Sequence, residues 1–172
     1  MALVLAVAGY PELSDADRDG IESFRSSHDP QARRIDLHFT LVFPAQAPLA
    51  ELRDDLASAA LSTAPIDFTI RGAEAMDRHV FLVPDEGRAE IAALHDRLYA
   101  GVLKSQLRND PPYVPHITVA AKFDPAECER LARELGTSLG VVRGRLTHLD
   151  LVDVSPPRVR TIERFALCGT KA

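Results

Sequence analysis

Two strand-like segments with the same internal pattern, far apart in the sequence, restrict the folds available to this chain. Residues 36–43 contain His38 and Thr40, and residues 113–123 contain His116 and Thr118. Because alternate residues of a β-strand point to opposite sides, each histidine shares a side with the threonine two positions later. We therefore predict two strands, each with a His-x-Thr pair on one side and an apolar row on the other. The apolar rows are Leu37, Phe39, Leu41 and Phe43 in the first segment, and Ile117, Val119, Ala121 and Phe123 in the second.

The remaining pattern places these strands at corresponding positions in two similar halves of the chain. Helices are predicted over residues 15–26, 49–61, 89–107 and 125–139, and further strands over 3–8, 66–71, 80–83, 141–154 and 159–168. Pro44 is expected to end the first His-x-Thr strand, residues 72–77 to form a turn, and the proline-rich residues 108–112 to form a loop beside the site. A chain of 172 residues can bury its own core, so residues 1–172 are interpreted as one domain with two lobes.

Charge and composition exclude several classes of protein. Hydrophobic residues make up 46% of the chain, which is typical of a globular protein and not of a disordered one. The net charge of −5 gives no overall basic field for nucleic acid, so a phosphate ligand requires a local cluster of binding groups.

The cysteines and the apolar segments predict where the protein acts. Cys128 and Cys168 lack the spacing of a metal or redox motif, so we expect free thiols in a reducing, cytoplasmic environment. Residues 1–8 are apolar but have no basic segment before them, which favours a buried first strand over a signal peptide. No apolar run approaches the roughly 18 residues that a membrane span requires, and no protein partner is evident.

Two histidines on facing strands suit in-line chemistry at phosphorus. Imidazole titrates near neutral pH, so one ring can accept a proton from the attacking water while the other donates a proton to the leaving oxygen. Each threonine hydroxyl can donate to a non-bridging phosphate oxygen. The alternative interpretation is that each histidine is a solvated residue on the outer side of a strand and that each threonine reflects β-propensity alone.

No other catalytic or cofactor motif stands out in the sequence. The histidines outside the two pairs show neither H-x-x-x-H nor HExxH spacing, so no protein-bound metal is expected. The chain also lacks a glycine-rich phosphate loop and a serine nucleophile elbow. We therefore expect no cofactor.

The two motifs resemble a known family signature. The segments Leu37-His38-Phe39-Thr40-Leu41 and Pro115-His116-Ile117-Thr118-Val119 are similar to the paired motifs of the two-histidine (2H) phosphoesterase superfamily, in particular its bacterial 2′-5′ RNA ligase-like proteins. The Asp29-Pro30 connector before the first motif and the Tyr-Val-Pro lead into the second also fit.

The resemblance implies a fold and an activity. The fold is α+β and bilobal, with two pseudo-symmetric lobes of antiparallel sheet and flanking helices around a central cleft. The activity is opening of 2′,3′-cyclic phosphates at RNA 3′ ends or on small nucleotides, with 2′-5′ ligation as the reverse reaction. Catalytic roles carry over to His38 and His116, and phosphate-binding roles to Thr40 and Thr118. The acidic net charge favours a small nucleotide over a long RNA. A different class of protein remains open, namely a module that binds RNA ends or phosphorylated ligands without turnover.

Several neighbours of the motifs are secondary candidates for substrate binding. Tyr113 and Phe43 flank the motifs and either stack on a base or pack into the protein. Lys122 shares the predicted polar side of its strand with His116, and it either contacts phosphate or is a solvated strand end. Arginines in loops or at strand ends offer a local basic rim, or are ordinary surface residues; they are Arg33, Arg34, Arg108, Arg158 and Arg160.

Overall fold

The computed structural model describes residues 3–170, so residues 1 and 2 of the apolar N-terminal segment lie outside the described residues. The α-helices within that range are α1 (Asp15–His28), α2 (Leu49–Leu61), α3 (Arg88–Leu98) and α4 (Pro125–Ser138), and a short 3-10 helix spans Lys104–Gln106. The strands are β1 (Leu5–Gly9), β2 (Glu12–Leu13), β3 (Phe39–Ala45), β4 (Ile66–Ile70), β5 (Glu74–Met76), β6 (His79–Leu82), β7 (Ile117–Ala121), β8 (Val142–Leu146), β9 (His148–Asp153) and β10 (Arg160–Ala166).

The described strands form two antiparallel sheets, which confirms the predicted α+β class. The larger sheet has seven strands in the order β10-β9-β1-β3-β7-β6-β5, and the smaller has three in the order β2-β8-β4. Helix α1 packs against β7, and α3 packs against β3, so each half of the chain contributes a helix to the other half's His-x-Thr strand. Most of the buried apolar residues of both halves form one core, and Ala6, Ala8 and Val152 form a second, smaller cluster.

The two halves of the large sheet meet at β3 and β7, the strands that carry the His-x-Thr motifs. Within residues 3–170, the register that joins these strands is one antiparallel pair, Phe39 with Ile117. Each is the central residue of its motif, and both are buried. Because the pairing is antiparallel, the residues around this pair are related by an approximate twofold axis. The motifs are thus brought side by side at the centre of the molecule.

Matching β-bulges follow the two motifs. In the first half, Ala8 pairs with Thr40 and Val7 pairs with Val42. A step of one residue along β1 therefore corresponds to a step of two residues along β3. In the second half, Phe81–Thr118 and Val80–Ala120 show the same shift. An extra residue on one strand turns the side chains that follow it to the other side of the sheet.

The bulges correct the predicted alternation of the two strands. Phe43 and Phe123 were predicted to be buried with the apolar rows, but 47% and 85% of their surfaces are exposed. In both strands the side-chain phase set by the motif does not continue past the bulge, and Phe123 also lies beyond the end of β7 at Ala121. Because a sequence pattern assumes a regular period of two, it gives the wrong side for residues beyond such an insertion.

Most predicted elements occur, with local differences that have physical causes. Helix α2 has the predicted bounds, and α4 ends one residue early. Helix α3 ends at Leu98 and not at residue 107, because the Asp55 carboxylate accepts the Val102 N–H at 2.8 Å, a bond that replaces helical pairing. Strand β3 continues through Pro44, where the pairing with β1 is irregular and no proline N–H is needed.

The remaining observations concern two short strands, the two cysteines and the search for membrane-spanning helices. The predicted turn over residues 72–77 contains β5, and the short strand β2 was not predicted. Cys128 and Cys168 are both free, as predicted. No helix in residues 3–170 is long and apolar enough to cross a membrane.

Candidate active site

His38 lies immediately before β3 and is held in one orientation by contacts within residues 36–40. Its Nδ1 lies 2.7 Å from the carbonyl oxygen of Asp36, and its Nε2 lies 3.2 Å from the Thr40 hydroxyl. Because a carbonyl only accepts, Nδ1 carries the proton and the neutral ring offers Nε2 as an acceptor. The Thr40 hydroxyl therefore donates to Nε2. In this state His38 Nε2 is a hydrogen-bond acceptor, and the Thr40 hydroxyl beside it is its donor.

His116 repeats the arrangement in the second half. Its Nδ1 lies 2.7 Å from the carbonyl oxygen of Val114, which is again the residue two positions earlier. The same argument places the proton on Nδ1 and leaves Nε2 as an acceptor. Two distant segments thus hold their imidazoles in the same tautomer by the same backbone contact. A pair of unrelated surface histidines would not require this match.

Both imidazoles are kept neutral by their surroundings. Burial is the largest of the effects that together lower the pKa of His38 to about 4; the charges of Arg25 and His116 act in the same direction, against the bond to the Asp36 carbonyl and the charge of Asp29. Burial also lowers the pKa of His116, and His79 adds to that effect. Each ring therefore starts as a base in the free protein. A bound phosphate monoanion would favour protonation of a ring, because opposite charges attract strongly in a buried site.

Two adjoining cavities open on the motifs. One has a volume of about 700 Å³ and includes His38, Thr40 and Thr118 in its lining; we call it the cleft cavity. The other has a volume of about 860 Å³ and includes His116; we call it the aromatic cavity because Phe43, Phe81, Tyr99 and Tyr113 line it. Pro44 belongs to both linings. Either volume is in the range of small-molecule sites.

A buried ionic network supports the entry to the first motif. Arg25 and Asp29, whose side chains are both 1% exposed, pair at 2.9 Å between Nε and Oδ2. The Arg25 guanidinium also contacts Glu22, and the Glu22 carboxylate accepts the Leu37 N–H at 3.0 Å. Helix α1 thereby fixes the backbone immediately before His38. Because Arg25 and Asp29 also line the cleft cavity, this network forms part of its floor.

Side chains from the second half satisfy the backbone of β3 where it diverges from β7. The Tyr113 hydroxyl donates to the Thr40 carbonyl at 2.9 Å, and His95 Nδ1 donates to the Leu41 carbonyl at 2.8 Å. The Phe43 N–H donates to the Tyr99 hydroxyl at 3.2 Å. These bonds replace the strand pairing that stops after the central pair, and they tie the lead-in of the second motif to the first.

The rings of Tyr113 and His95 form a rigid unit. They stack with centroids 3.7 Å apart and an angle of 4°. Burial raises the pKa of the Tyr113 phenol and lowers the pKa of His95. Tyr113 is therefore a neutral donor whose ring is already stacked within the protein. Of the two interpretations of Tyr113, packing into the protein describes its position in this structure.

A row of three rings forms one wall between the cavities. Phe81 packs against His116 with centroids 4.0 Å apart, and His79 stacks on Phe81 at 5.6 Å with an angle of 16°. Phe81 lines the aromatic cavity, whereas His79 lines the cleft cavity. Strand β6 supplies both residues from alternate positions, which explains why they share a side of the sheet.

The secondary candidates separate into those near the motifs and those away from them. Phe43 and Arg108 line the aromatic cavity with Tyr113. Lys122 lines neither cavity, because the bulge turns it away from the motif; its ammonium lies 4.0 Å from the Glu127 carboxylate. Of the basic rim, Arg34 lines the cleft cavity.

The other arginines of the proposed rim do not line the two cavities. Arg158 lines a separate hollow beside α1, and Arg160 pairs with Asp153. Arg33 is exposed and lines neither cavity. The basic groups near the motifs are therefore fewer than the sequence suggested.

Three residues at the site were not singled out from the sequence. Arg25 interrupts the exposed face expected for α1, and only its buried pairing with Asp29 reveals its place. His95 falls between Leu94 and Leu98 on the buried side of α3, a position that the helical period marks as inward. His79 carried no signal, because nothing in the sequence shows which strand pairs beside β7. Across residues 3–170, no cluster of three or more His, Cys, Asp or Glu side chains has metal-binding geometry.

An antiparallel α+β fold that brings two His-x-Thr strands together at its centre is the architecture of the two-histidine phosphoesterases. The chain belongs to the 2′-5′ RNA ligase superfamily, whose family profile matches residues 11–156. The match spans most of the chain and includes both motifs.

Individual relatives agree with this assignment. A Bacillus licheniformis protein, named as a candidate phosphoesterase, is 28% identical over 115 residues, which are 64% of this chain and 67% of that protein. A solved structure from Thermus thermophilus has a TM-score of 0.67 at 21% identity and covers 98% of this chain and all of its own. Escherichia coli LigT with 3′-AMP has a TM-score of 0.63 at 19% identity, covering 97% of this chain and 99% of its own. These structural likenesses establish the fold.

Proposed function

We propose that this protein is a metal-independent phosphoesterase that opens 2′,3′-cyclic phosphates of RNA ends or nucleotides to 2′-phosphates. The observation that carries the proposal is the matched pair of imidazoles, each held through Nδ1 by the carbonyl two residues earlier, on strands that meet at the centre of the sheet. Both Nε2 atoms are acceptors in the free protein, which is the state that a general base requires.

The proposed reaction needs one proton acceptor and one proton donor. One imidazole accepts a proton from water as the water oxygen forms a bond to phosphorus. The bond from phosphorus to the 3′ oxygen breaks, and the other imidazole gives its proton to that oxygen. The proton on the second ring is acquired when the substrate phosphate binds, because its negative charge raises the ring's pKa from the depressed value of the free state. With a 5′ hydroxyl in place of water as the nucleophile, the same steps form a 2′-5′ linkage, which is the ligation reaction.

The threonine hydroxyls have a separate role in this proposal. Thr40 donates to His38 in the free state and lies in the cleft cavity with Thr118. When phosphate enters, each hydroxyl can turn to a non-bridging oxygen, where a donor stabilises the charge that grows in the transition state. Rotating a hydroxyl costs little, so both hydroxyls can serve the ligand without movement of the strands.

The two cavities favour a nucleotide as the substrate. Their volumes suit a nucleoside with its phosphate, and Phe43, Tyr113 and Arg108 line the aromatic cavity, which includes His116. LigT, a protein of the same fold, has been crystallised with 3′-AMP and with NADP+. The net charge of −5 favours a small nucleotide or the end of an RNA over extended contact with a long strand.

Phosphorus NMR tests the proposed function directly. Purified protein is incubated with each 2′,3′-cyclic nucleotide in the presence of EDTA, and the products are identified by their phosphorus resonances. We expect a 2′-phosphate with little 3′-phosphate, at a rate that EDTA does not change. Saturable binding of the cyclic nucleotide without turnover would instead support the non-catalytic binding module.

A further inference from the structure

The two halves of the cleft differ at positions that the pseudo-symmetry makes equivalent. Ala8 pairs with Thr40 in the first half, and Phe81 pairs with Thr118 in the second. Two residues earlier on each strand, Ala6 corresponds to His79. The first half thus presents two methyl groups where the second presents two rings, and Ala6, Ala8 and His79 all line the cleft cavity.

His79 is held ready for a ligand without being used by the fold. One side of its ring is covered by Phe81, at 5.6 Å and 16°. The residue is otherwise exposed to the cleft cavity, which also contains His38 and Thr118. No hydrogen bond from the His79 side chain is made to residues 3–170. Its strand and the ring stack therefore fix its position, while one side of the ring stays open.

We propose that His79 is a specificity-determining residue whose open ring face stacks on the nucleobase of the substrate, with the ribose directed towards the alanine wall formed by Ala6 and Ala8. This inference rests on the proposed function, because it assumes that the cyclic phosphate lies between His38 and His116. It adds the orientation of the substrate, which the two nearly symmetric motifs do not define. An asymmetric wall gives the two histidines different neighbours in the bound complex.

The chemistry of the His79 ring and of the alanine wall favours a planar aromatic group over a second phosphate as the ligand. A ring already stacked on one face loses little freedom when a base covers the other, so the cost of ordering it is small. The small side chains opposite leave the width that a sugar needs. Base stacking on an aromatic side chain does not depend on base identity, so we expect discrimination between nucleotides and compounds without a base, and little discrimination among the four bases.

Paired substrates and paired variants test the proposal. Turnover is measured for 2′,3′-cyclic AMP and for ribose 2′,3′-cyclic phosphate, which has no base. His79→Ala removes the ring, whereas His79→Phe keeps a ring that can stack but cannot titrate or donate. His148→Ala is the matched control, because His148 lies at the start of β9 and lines neither cavity.

The expected pattern is specific to stacking. His79→Ala should lower kcat/KM for 2′,3′-cyclic AMP by about 5- to 30-fold. It should change kcat/KM for ribose 2′,3′-cyclic phosphate by less than about twofold. His79→Phe and His148→Ala should stay within about threefold of the unchanged protein on both substrates. Equal losses on both substrates, or a His79→Phe defect as large as that of His79→Ala, would overturn the proposal, the latter indicating a hydrogen bond or charge.

Binding measurements separate this proposal from the proposed function. If neither substrate is turned over by the unchanged protein, the proposed function fails, but the role of His79 is still measured with 2-aminopurine riboside 3′-phosphate. Its fluorescence should be quenched on binding to the unchanged protein and to His79→Phe, and should be recovered in His79→Ala. Quenching that persists in His79→Ala would contradict stacking on this ring.

Discussion

Phe39 and Ile117 lie directly opposite each other as the pair that joins the two halves of the large sheet. Each is the middle residue of a His-x-Thr motif, so the residue before Phe39 is adjacent to the one after Ile117. This register places His38 beside Thr118 and Thr40 beside His116. Each motif's histidine thus neighbours the threonine of the other motif across the two strands, an arrangement that the proposed function requires.

Replacing Tyr113 by phenylalanine tests whether the bond between the halves positions the first motif. The Tyr113 hydroxyl donates to the Thr40 carbonyl, and the ring stack on His95 survives the change. We expect the free energy of unfolding to fall by about 1 kcal/mol, since a backbone acceptor loses its partner. We also expect kcat to fall by about three- to tenfold, because Thr40 is no longer held in place.

Tyr99→Phe is the matched control for Tyr113→Phe. The Tyr99 hydroxyl accepts the Phe43 N–H on the same strand edge, but beyond the motif. Tyr99→Phe should lower the free energy of unfolding in urea by a similar amount and leave kcat nearly unchanged. A Tyr113→Phe variant with unaltered kcat would show that the tether serves stability alone.

The buried pair of Arg25 and Asp29 should be far more sensitive to single changes than to a joint change. Arg25→Met leaves the Asp29 carboxylate buried without its ion-pair partner, although it still accepts the Gln31 N–H, so we expect a loss of about 3–5 kcal/mol in urea unfolding. The double variant Arg25→Met with Asp29→Leu removes both charges and should recover most of that loss. If the single and double variants are equally destabilised, the packing of α1 and not the uncompensated charge accounts for the loss.

The depressed pKa of His38 predicts how stability depends on pH. Folding lowers this pKa from 6.5 to about 4, so between those values the unfolded chain binds more protons than the folded protein. The contribution of His38 is fully present above the unfolded pKa, and it is lost as pH falls towards about 4. Unfolding free energies measured in urea at about pH 7 and pH 5 should therefore differ more for the unchanged protein than for His38→Gln.

The size of that difference has an upper limit. A single group with this shift contributes at most about 2 kcal/mol over the interval. His116 is present in both proteins, so the comparison reports the loss of the His38 ring together with its charge interaction with His116. An equal pH dependence in the two proteins would mean that the His38 pKa is not depressed in the folded state.

The sequence predicted the parts of this protein that depend on local periodicity. The bounds of α2 follow from its apolar stripe, and the buried centres of both motifs, Phe39 and Ile117, follow from alternation. The family also followed from the two motifs, because His and Thr at positions i and i+2 share a side wherever a strand remains regular. Both motifs precede their bulges, so their side chains keep the predicted phase.

The features that depend on which strands pair with each other in the sheet were not predictable from the sequence. The side taken by Phe43 and Lys122 is reversed by a bulge whose cause lies in the pairing with another strand. The wall formed by His79 and Phe81 exists because β6 pairs with β7, which a pattern of apolar residues does not specify. Arg25 is buried by its partner Asp29, and an isolated charge in a helix gives no sign of such a partner.

The central claim is that His38 and His116 act as one acid–base pair. The rate of 2′,3′-cyclic AMP hydrolysis by the single and double variants tests it most directly. His38→Ala and His116→Ala should each lower kcat by about 10²–10⁴-fold, and the double variant should be little worse than either, because the reaction needs both rings. Circular dichroism should show all three variants folded. Retention of most of the activity in either single variant would contradict the claim.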